Sequence, residues 1–151
     1  MLLSLIFFVP KKNGSLRPCL DYRDVKQISK VEHYPLPLIS ILLYRPATCK
    51  WFTVLDLRGA YHLLRVREGD EWKTAFRCIY GQFEYLVVSF GLHGAPGAFQ
   101  RFMNSVLVDL LDICCVCYLD DILIFSATLE QHKLDVAKVL QRLHENRLFV
   151  L

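Results

Sequence analysis

The sequence has no apolar run long enough to cross a membrane. Its longest uncharged stretch, Met1 to Pro10 (MLLSLIFFVP), falls well short of the roughly 20 apolar residues that a transmembrane helix needs. That stretch also lacks a basic start and a small-residue cleavage site, and it runs directly into Lys11 and Lys12, so neither membrane insertion nor secretion is expected. Low-complexity tracts and internal repeats are missing, which excludes a disordered chain and a solenoid. The six cysteines lack the spacing of a disulfide framework. Cys114 and Cys117 form a CxxC, but no second Cys or His pair follows at zinc-finger spacing, so they read as small apolar fillers of a buried strand. A reducing, intracellular setting is the expectation.

A strong net charge is also missing: 18 Lys and Arg against 15 Asp and Glu leave +3. The distribution says more than the sum. Residues 1–50 carry eight basic and three acidic side chains, whereas residues 51–151 carry ten and twelve. Lys11, Lys12, Arg17, Arg23, Lys26 and Lys30 could meet a polyanion such as nucleic acid or a triphosphate, or could simply form a solvated face. With 151 residues, 54% of them apolar, there is material for one compact domain and an apolar surplus suited to packing against further chain. A fragment of a longer protein is therefore one reading.

Local patterns place the elements. Asn13-Gly14, between Ile6–Lys12 and Ser15–Leu20, predicts a hairpin with a two-residue turn. Prolines extend residues 34–37, and a short helix over Leu38–Leu43 ends before Pro46. Trp51–Leu57 reads as a buried strand closing at Asp56, and Leu63–Arg67, Thr74–Cys78 and Phe83–Val88 read as extended, with Tyr80-Gly81 as a turn. From Ala95 the period changes: Phe99, Phe102, Met103, Val106, Leu107 and Leu110 form one helical stripe, with Pro96 in its first turn. Two strands follow, Ile113–Tyr118 and Ile122–Phe125, with Leu119-Asp120-Asp121 between them. Thr128 and Gln131 form a capping box that opens a last helix, with Leu129, Val136, Ala137, Leu140 and Leu143 facing inward. This order argues a mixed α+β sheet with helices on one face.

The chemistry lies in the acids. Adjacent carboxylates at a hairpin tip raise each other's pKa unless a cation neutralises them, and oxygen-only ligands with room for water and phosphate suit Mg²⁺. Asp120-Asp121 alone reads first as a solvated turn. Asp56 also closes an apolar strand, and a third carboxylate beside the pair would allow two metal ions to serve an in-line phosphoryl transfer.

Several further motifs accompany these acids. Tyr118-Leu119-Asp120-Asp121, the run from Leu55 through Asp56 to His62, and Phe90-Gly91-Leu92 with Ala95-Pro96 and Phe99-Gln100 resemble three successive motifs of reverse transcriptases. Val9 to Pro18 and Asp21-Tyr22-Arg23 resemble the fingers of the same family. Arg67 to Phe76 and Phe83 to Leu86 are similar to its gypsy-type long-terminal-repeat retrotransposon branch. The resemblance implies the palm of a right-hand polymerase, an antiparallel sheet with helices on one face. It places interleaved fingers at about 1–32 and 64–94 and palm at about 33–63 and 95–151, the chain stopping before the thumb.

The implied activity is RNA-directed DNA synthesis on a primed RNA or DNA template, with deoxynucleoside triphosphates (dNTPs) as substrates, inside a Pol polyprotein that would supply thumb and RNase H. Asp56, Asp120 and Asp121 would be catalytic and hold two Mg²⁺ ions, with Mn²⁺ as a substitute. Lys12 and Arg17 would grip the triphosphate, the main chain at Leu57 would accept it, Tyr61 would act as the steric gate against a ribose 2′-hydroxyl, and Phe90 and Gly91 would line the nucleotide. Gln100 and Tyr118 would meet template or primer. The chain departs from the family at Ser89, where Pro is usual, at His93, and at Gly94, where Asn is usual. Those departures keep a second reading open, that of a non-catalytic remnant binding nucleic acid or a protein partner.

Overall fold

The computed structural model describes residues 3–10, 14–28 and 34–151, with Ala60 described in its backbone only. In chain order the elements are β1 (Ser4–Pro10), β2 (Leu16–Leu20), α1 (Arg23–Ile28), α2 (Ile39–Leu42), β3 (Trp51–Asp56), β4 (Phe76–Cys78), β5 (Gly81–Phe83), α3 (Ala95–Val106), β6 (Cys115–Tyr118), β7 (Asp121–Ser126) and α4 (Leu129–Glu145). By internal contacts the chain divides into two compact units: Met1–His33 with Tyr61–Ala95, and Tyr34–Ala60 with Pro96–Leu151. No helix among the described residues is long and apolar enough to cross a membrane.

The first unit carries a four-stranded sheet in the order β2-β1-β4-β5, with β1 and β4 parallel and the other pairs antiparallel. Its core is Leu20, Tyr22 and Val25, against which Ile6, Phe76, Tyr85 and Leu92 pack. The β1–β2 hairpin forms in a different register from the one expected. A two-residue Asn13-Gly14 turn would pair Pro10 with Arg17, whereas Pro10 pairs with Leu16 and Val9 with Arg17. Such a one-residue shift reverses which face each side chain takes. Lys12 and Asn13 lie outside the described residues. Residues 60–63, expected in part to be extended, form a 3-10 turn, after which Arg65 bridges Val87.

The second unit holds an antiparallel sheet in the order β3-β7-β6. The α3 stripe is buried as its spacing predicts, with Phe99, Met103, Val106 and Leu107 at 6% exposure or less, although the helix itself ends at Val106. α4 opens as expected on Thr128, whose hydroxyl accepts from the Gln131 amide. Its buried face is not the expected aliphatic one. His132, Asp135, Val139 and Leu143 point inward, while Leu129, Ala137 and Leu140 are exposed and Val136 is half-buried. Polar partners on the sheet account for this. The His132 ring is hydrogen-bonded to Thr53 on β3 (2.8 Å) and Ser126 on β7 (3.1 Å), and Asp135 accepts from Ser126 and from Gln131. A rotation of α4 toward the expected face would bury Leu129 and Leu140 but strand these groups.

Phe99 and Met103 are fully buried. Phe99→Ala should cost about 3–5 kcal/mol through the lost transfer energy and the cavity left behind. Urea unfolding would read this as a lower midpoint at an unchanged m-value.

Candidate active site

The register of the second sheet brings the acids together. Asp56 ends β3 directly opposite Asp121, which begins β7, and Tyr118, which ends β6, also pairs with Asp121. Leu119 and Asp120 are thus the two central residues of a tight turn. Because side chains alternate along a strand, Phe52, Val54 and Asp56 share a sheet face with Leu123 and Asp121 and with Tyr118. The opposite face, with Thr53, Ile122 and Ile124, is the one covered by α4 through His132.

Electrostatics record the crowding. The Asp121 carboxyl is held above the ordinary carboxylate range, first by partial burial and then by the charges of Asp120 and Asp56. Behind the turn, burial and then the negative charges of Asp120 and Asp121 push the Cys117 thiol up to about 12. Among the described residues no three His, Cys, Asp or Glu side chains form a closed metal-holding cluster. The donor set nevertheless fits a hard divalent cation: its groups are carboxylates only, and their mutual repulsion is what such an ion relieves.

The turn is held on several sides. Leu119 has φ 55°, uncommon for a non-glycine residue. Its N–H donates to Gln100 Oε1 (2.8 Å), and its carbonyl accepts from Cys117 Sγ (3.3 Å). The Asp120 carbonyl accepts from the Leu57 N–H at 3.1 Å, and the next amide, that of Arg58, donates to the Phe149 carbonyl. Leu57 is itself buried. Its main-chain N–H therefore braces the acidic turn and is not free for a triphosphate, which corrects the role expected of it. Gln100 is corrected likewise. Its side chain is fully buried, and its amide bonds to the Cys117 carbonyl, the Leu119 N–H and Asn104, so it presents nothing to a template. Tyr118 is half-buried at the end of its strand.

Other expected residues gather within the first unit. The Arg17 guanidinium lies over the Phe90 ring, 4.9 Å from its centroid. Tyr61 tilts against the same ring at 5.6 Å and His62 meets it edge-on at 5.5 Å. Phe90 is thus the hub of a cluster that gathers the Arg17 guanidinium, Tyr61 and His62, and His62 is the member to which sequence reasoning gave no role. Its signal was its place at the end of the Leu55–His62 run. Gly91 has φ 101°, and a Cβ there would approach the Leu20 carbonyl oxygen to 3.0 Å, so no other residue fits without strain. Ser89, one of the departures, has a local role: its hydroxyl is hydrogen-bonded to that of buried Tyr22 at 2.6 Å. The same unit holds a chelated ion pair between Asp21 and Arg23, and the arginine keeps the Asp21 carboxyl below its usual range. Lys12 lies outside the described residues.

A family model described as reverse transcriptase (RNA-dependent DNA polymerase) matches residues 9–150. The chain belongs to the reverse transcriptase family. Among curated proteins, this reverse transcriptase chain is 48% identical over 145 residues to the Transposon Tf2-3 polyprotein of Schizosaccharomyces pombe and 47% identical to the Tf2-7 polyprotein of the same organism. Each match covers 96% of this chain but 11% of the relative, so the chain spans about a tenth of the length of those polyproteins. Among solved structures, prototype foamy virus protease-reverse transcriptase superposes with a TM-score of 0.88 at 23% identity, over 99% of this chain and 20% of that one. The foamy viral protease-reverse transcriptase solved in complex with double-stranded DNA gives a TM-score of 0.90 at 23% identity, over 99% of this chain and 26% of that one. The reverse transcriptase polymerase fold, mixed α+β, is therefore shared.

The repulsion at the turn yields a stability prediction. A like-charged pair directly opposite across two strands costs on the order of 0.2–1 kcal/mol, equivalent to about 0.4–4 °C in Tm at this size. Asp121→Asn should therefore raise the Tm of the metal-free protein at pH 7. The sign follows from the raised pKa. An acid whose folded pKa lies above its unfolded value disfavours folding once pH has risen through the folded pKa, and has no such effect below the unfolded pKa. The difference between variant and wild type should therefore vanish below about pH 3.8, the ordinary aspartate value. Thermal scans across pH would test this, and a variant less stable than wild type at pH 7 would contradict it.

Proposed function

We propose that this chain is the fingers-and-palm part of a gypsy-type RNA-directed DNA polymerase and that it transfers deoxynucleotidyl groups to a primer 3′-hydroxyl. The first unit corresponds to fingers and the second to palm. The observation that carries the reading is the pairing of Asp56 with Asp121 beside Asp120, in a chain whose family match spans nearly its whole length. Two of these acids come from one tight turn and the third from a distant strand, as expected of a divalent-cation site built by tertiary structure.

Asp56, Asp120 and Asp121 would hold divalent cations, Mg²⁺ foremost and Mn²⁺ as a substitute, in keeping with the family's use of divalent metals. When bound, such ions supply charge neutralisation: they lower the pKa of the attacking hydroxyl and stabilise the pyrophosphate that leaves. The chain's own side chains bind and orient. Arg17, held beside the Phe90 ring, would offer a planar fork to phosphate oxygens, a geometry lysine cannot reproduce. Lys12 would add a point charge to the same triphosphate. Tyr61, fixed against Phe90, would set the room left for a sugar, and Gly91 would let main chain approach the nucleotide. The partners are a primed RNA or DNA template, dNTPs, and the remainder of a Pol polyprotein with thumb and RNase H.

Primer extension on an RNA template with Mg²⁺ tests the reading. Asp120→Asn should lower incorporation by about 100-fold or more, as expected when a group that stabilises developing charge is lost. Arg17→Lys should chiefly raise the KM for dNTP. Equal incorporation by wild type and Asp120→Asn, or none by either, would leave the non-catalytic reading in its place.

A further inference from the structure

The polymerase reading places no demand on Asn104 or Tyr34, and the structure gives both a task. Gln100 sits on α3 with its amide wedged against the acidic hairpin. Its Oε1 accepts from the Leu119 N–H (2.8 Å), and its Nε2 donates both to the Cys117 carbonyl (3.0 Å) and to Asn104 Oδ1 (2.9 Å). One turn along α3, Asn104 Nδ2 donates to the Tyr34 hydroxyl at 2.8 Å. The directions are set from the hairpin outward: the Leu119 N–H can only donate and the Cys117 carbonyl can only accept, so Gln100 turns its oxygen to the first and its nitrogen to the second. Asn104 then meets Gln100 Nε2 with its oxygen and is anchored through its nitrogen by the Tyr34 hydroxyl, which can accept or donate. The reverse orientation of Gln100 would set N–H against N–H at Leu119 and carbonyl against carbonyl at Cys117.

The residue held in this way is Leu119, whose positive φ a leucine does not adopt unaided. We propose that Tyr34, Asn104 and Gln100 form an orienting relay that holds the Leu119-Asp120 turn, so that Gln100 is a positioning residue for the carboxylates of Asp120 and Asp121. The relay has no contact with substrate. It acts by fixing the backbone from which the two acids project, as outer hydrogen bonds fix the ligands of a metal. Its functional consequence rests on the polymerase reading, whereas its structural one does not.

The test uses the full chain and two readouts: hydrogen exchange at the Leu119 amide, and affinity for Mn²⁺ alone by electron paramagnetic resonance, with Tm recorded in parallel. Gln100→Met keeps the volume and adds no charge. It should speed Leu119 exchange and weaken Mn²⁺ binding, each by about 10-fold, the scale on which outer partners act on metal ligands. Tyr34→Phe, distant from the hairpin and mild in its effect on folding, should move both in the same direction by a smaller factor. Asn104→Leu should match or exceed it, and Asn104→Asp, which can accept from both Gln100 and Tyr34, should restore Leu119 protection. Normal exchange at Leu119 in folded Gln100→Met, or in Tyr34→Phe should Gln100→Met fail to fold, overturns the relay. Failure of wild type to bind Mn²⁺, or binding unaffected by Asp56→Asn, overturns the metal reading instead, and the exchange measurements still decide the relay.

Discussion

Two like charges, Asp56 and Asp121, face each other across the first pair of the β3–β7 ladder, and much of the second unit serves to keep them there. Left to themselves, carboxylates so placed would separate or take up a proton. What prevents separation is register. Ile122 and Ile124 on β7 and Cys115 and Cys117 on β6 are buried to 2% exposure or less on the opposite face. A slip of one residue would turn this apolar row outward and send the acids into the core, so the core's cohesion fixes the acids' position.

The same unit contains two groups of buried and half-buried polar side chains, one at each end of the sheet. Gln100 and Asn104 serve the acidic turn, while Thr53, Ser126, His132 and Asp135 fasten α4 at the other end. Neither group leaves a loose end: among the described residues no buried side-chain nitrogen or oxygen lacks a partner. Fully satisfied groups of this kind specify a single arrangement where aliphatic packing alone would tolerate several. This is why α4 presents a histidine and an aspartate inward while leaving leucines in water.

In the first unit the organising group is Phe90, with Arg17, Tyr61 and His62 around its ring. Contact with the ring restricts the rotamers open to the Arg17 side chain. Next to it, Gly91 occupies a backbone conformation and a clearance that no side chain accepts. The replacement of proline by Ser89 is absorbed by a hydrogen bond to Tyr22, so that departure from the family pattern alters local packing without removing a charged or metal-binding group.

Much of this was legible in the linear order of residues. The strand closing at Asp56, the hairpin around Leu119-Asp120, the α3 stripe and the Thr128 cap all follow from hydrophobic period and local turn chemistry, interactions between residues a few positions apart. Other features required the folded chain. The β1–β2 register, the inward face of α4, the engagement of the Leu57 amide by Asp120 and the burial of Gln100 behind the turn each depend on contacts between residues far apart in sequence. Periodicity identifies a face as apolar or polar, but whether His132 or Leu140 turns inward depends on which hydrogen-bonding groups the opposing strand offers. That is settled only when the two elements meet.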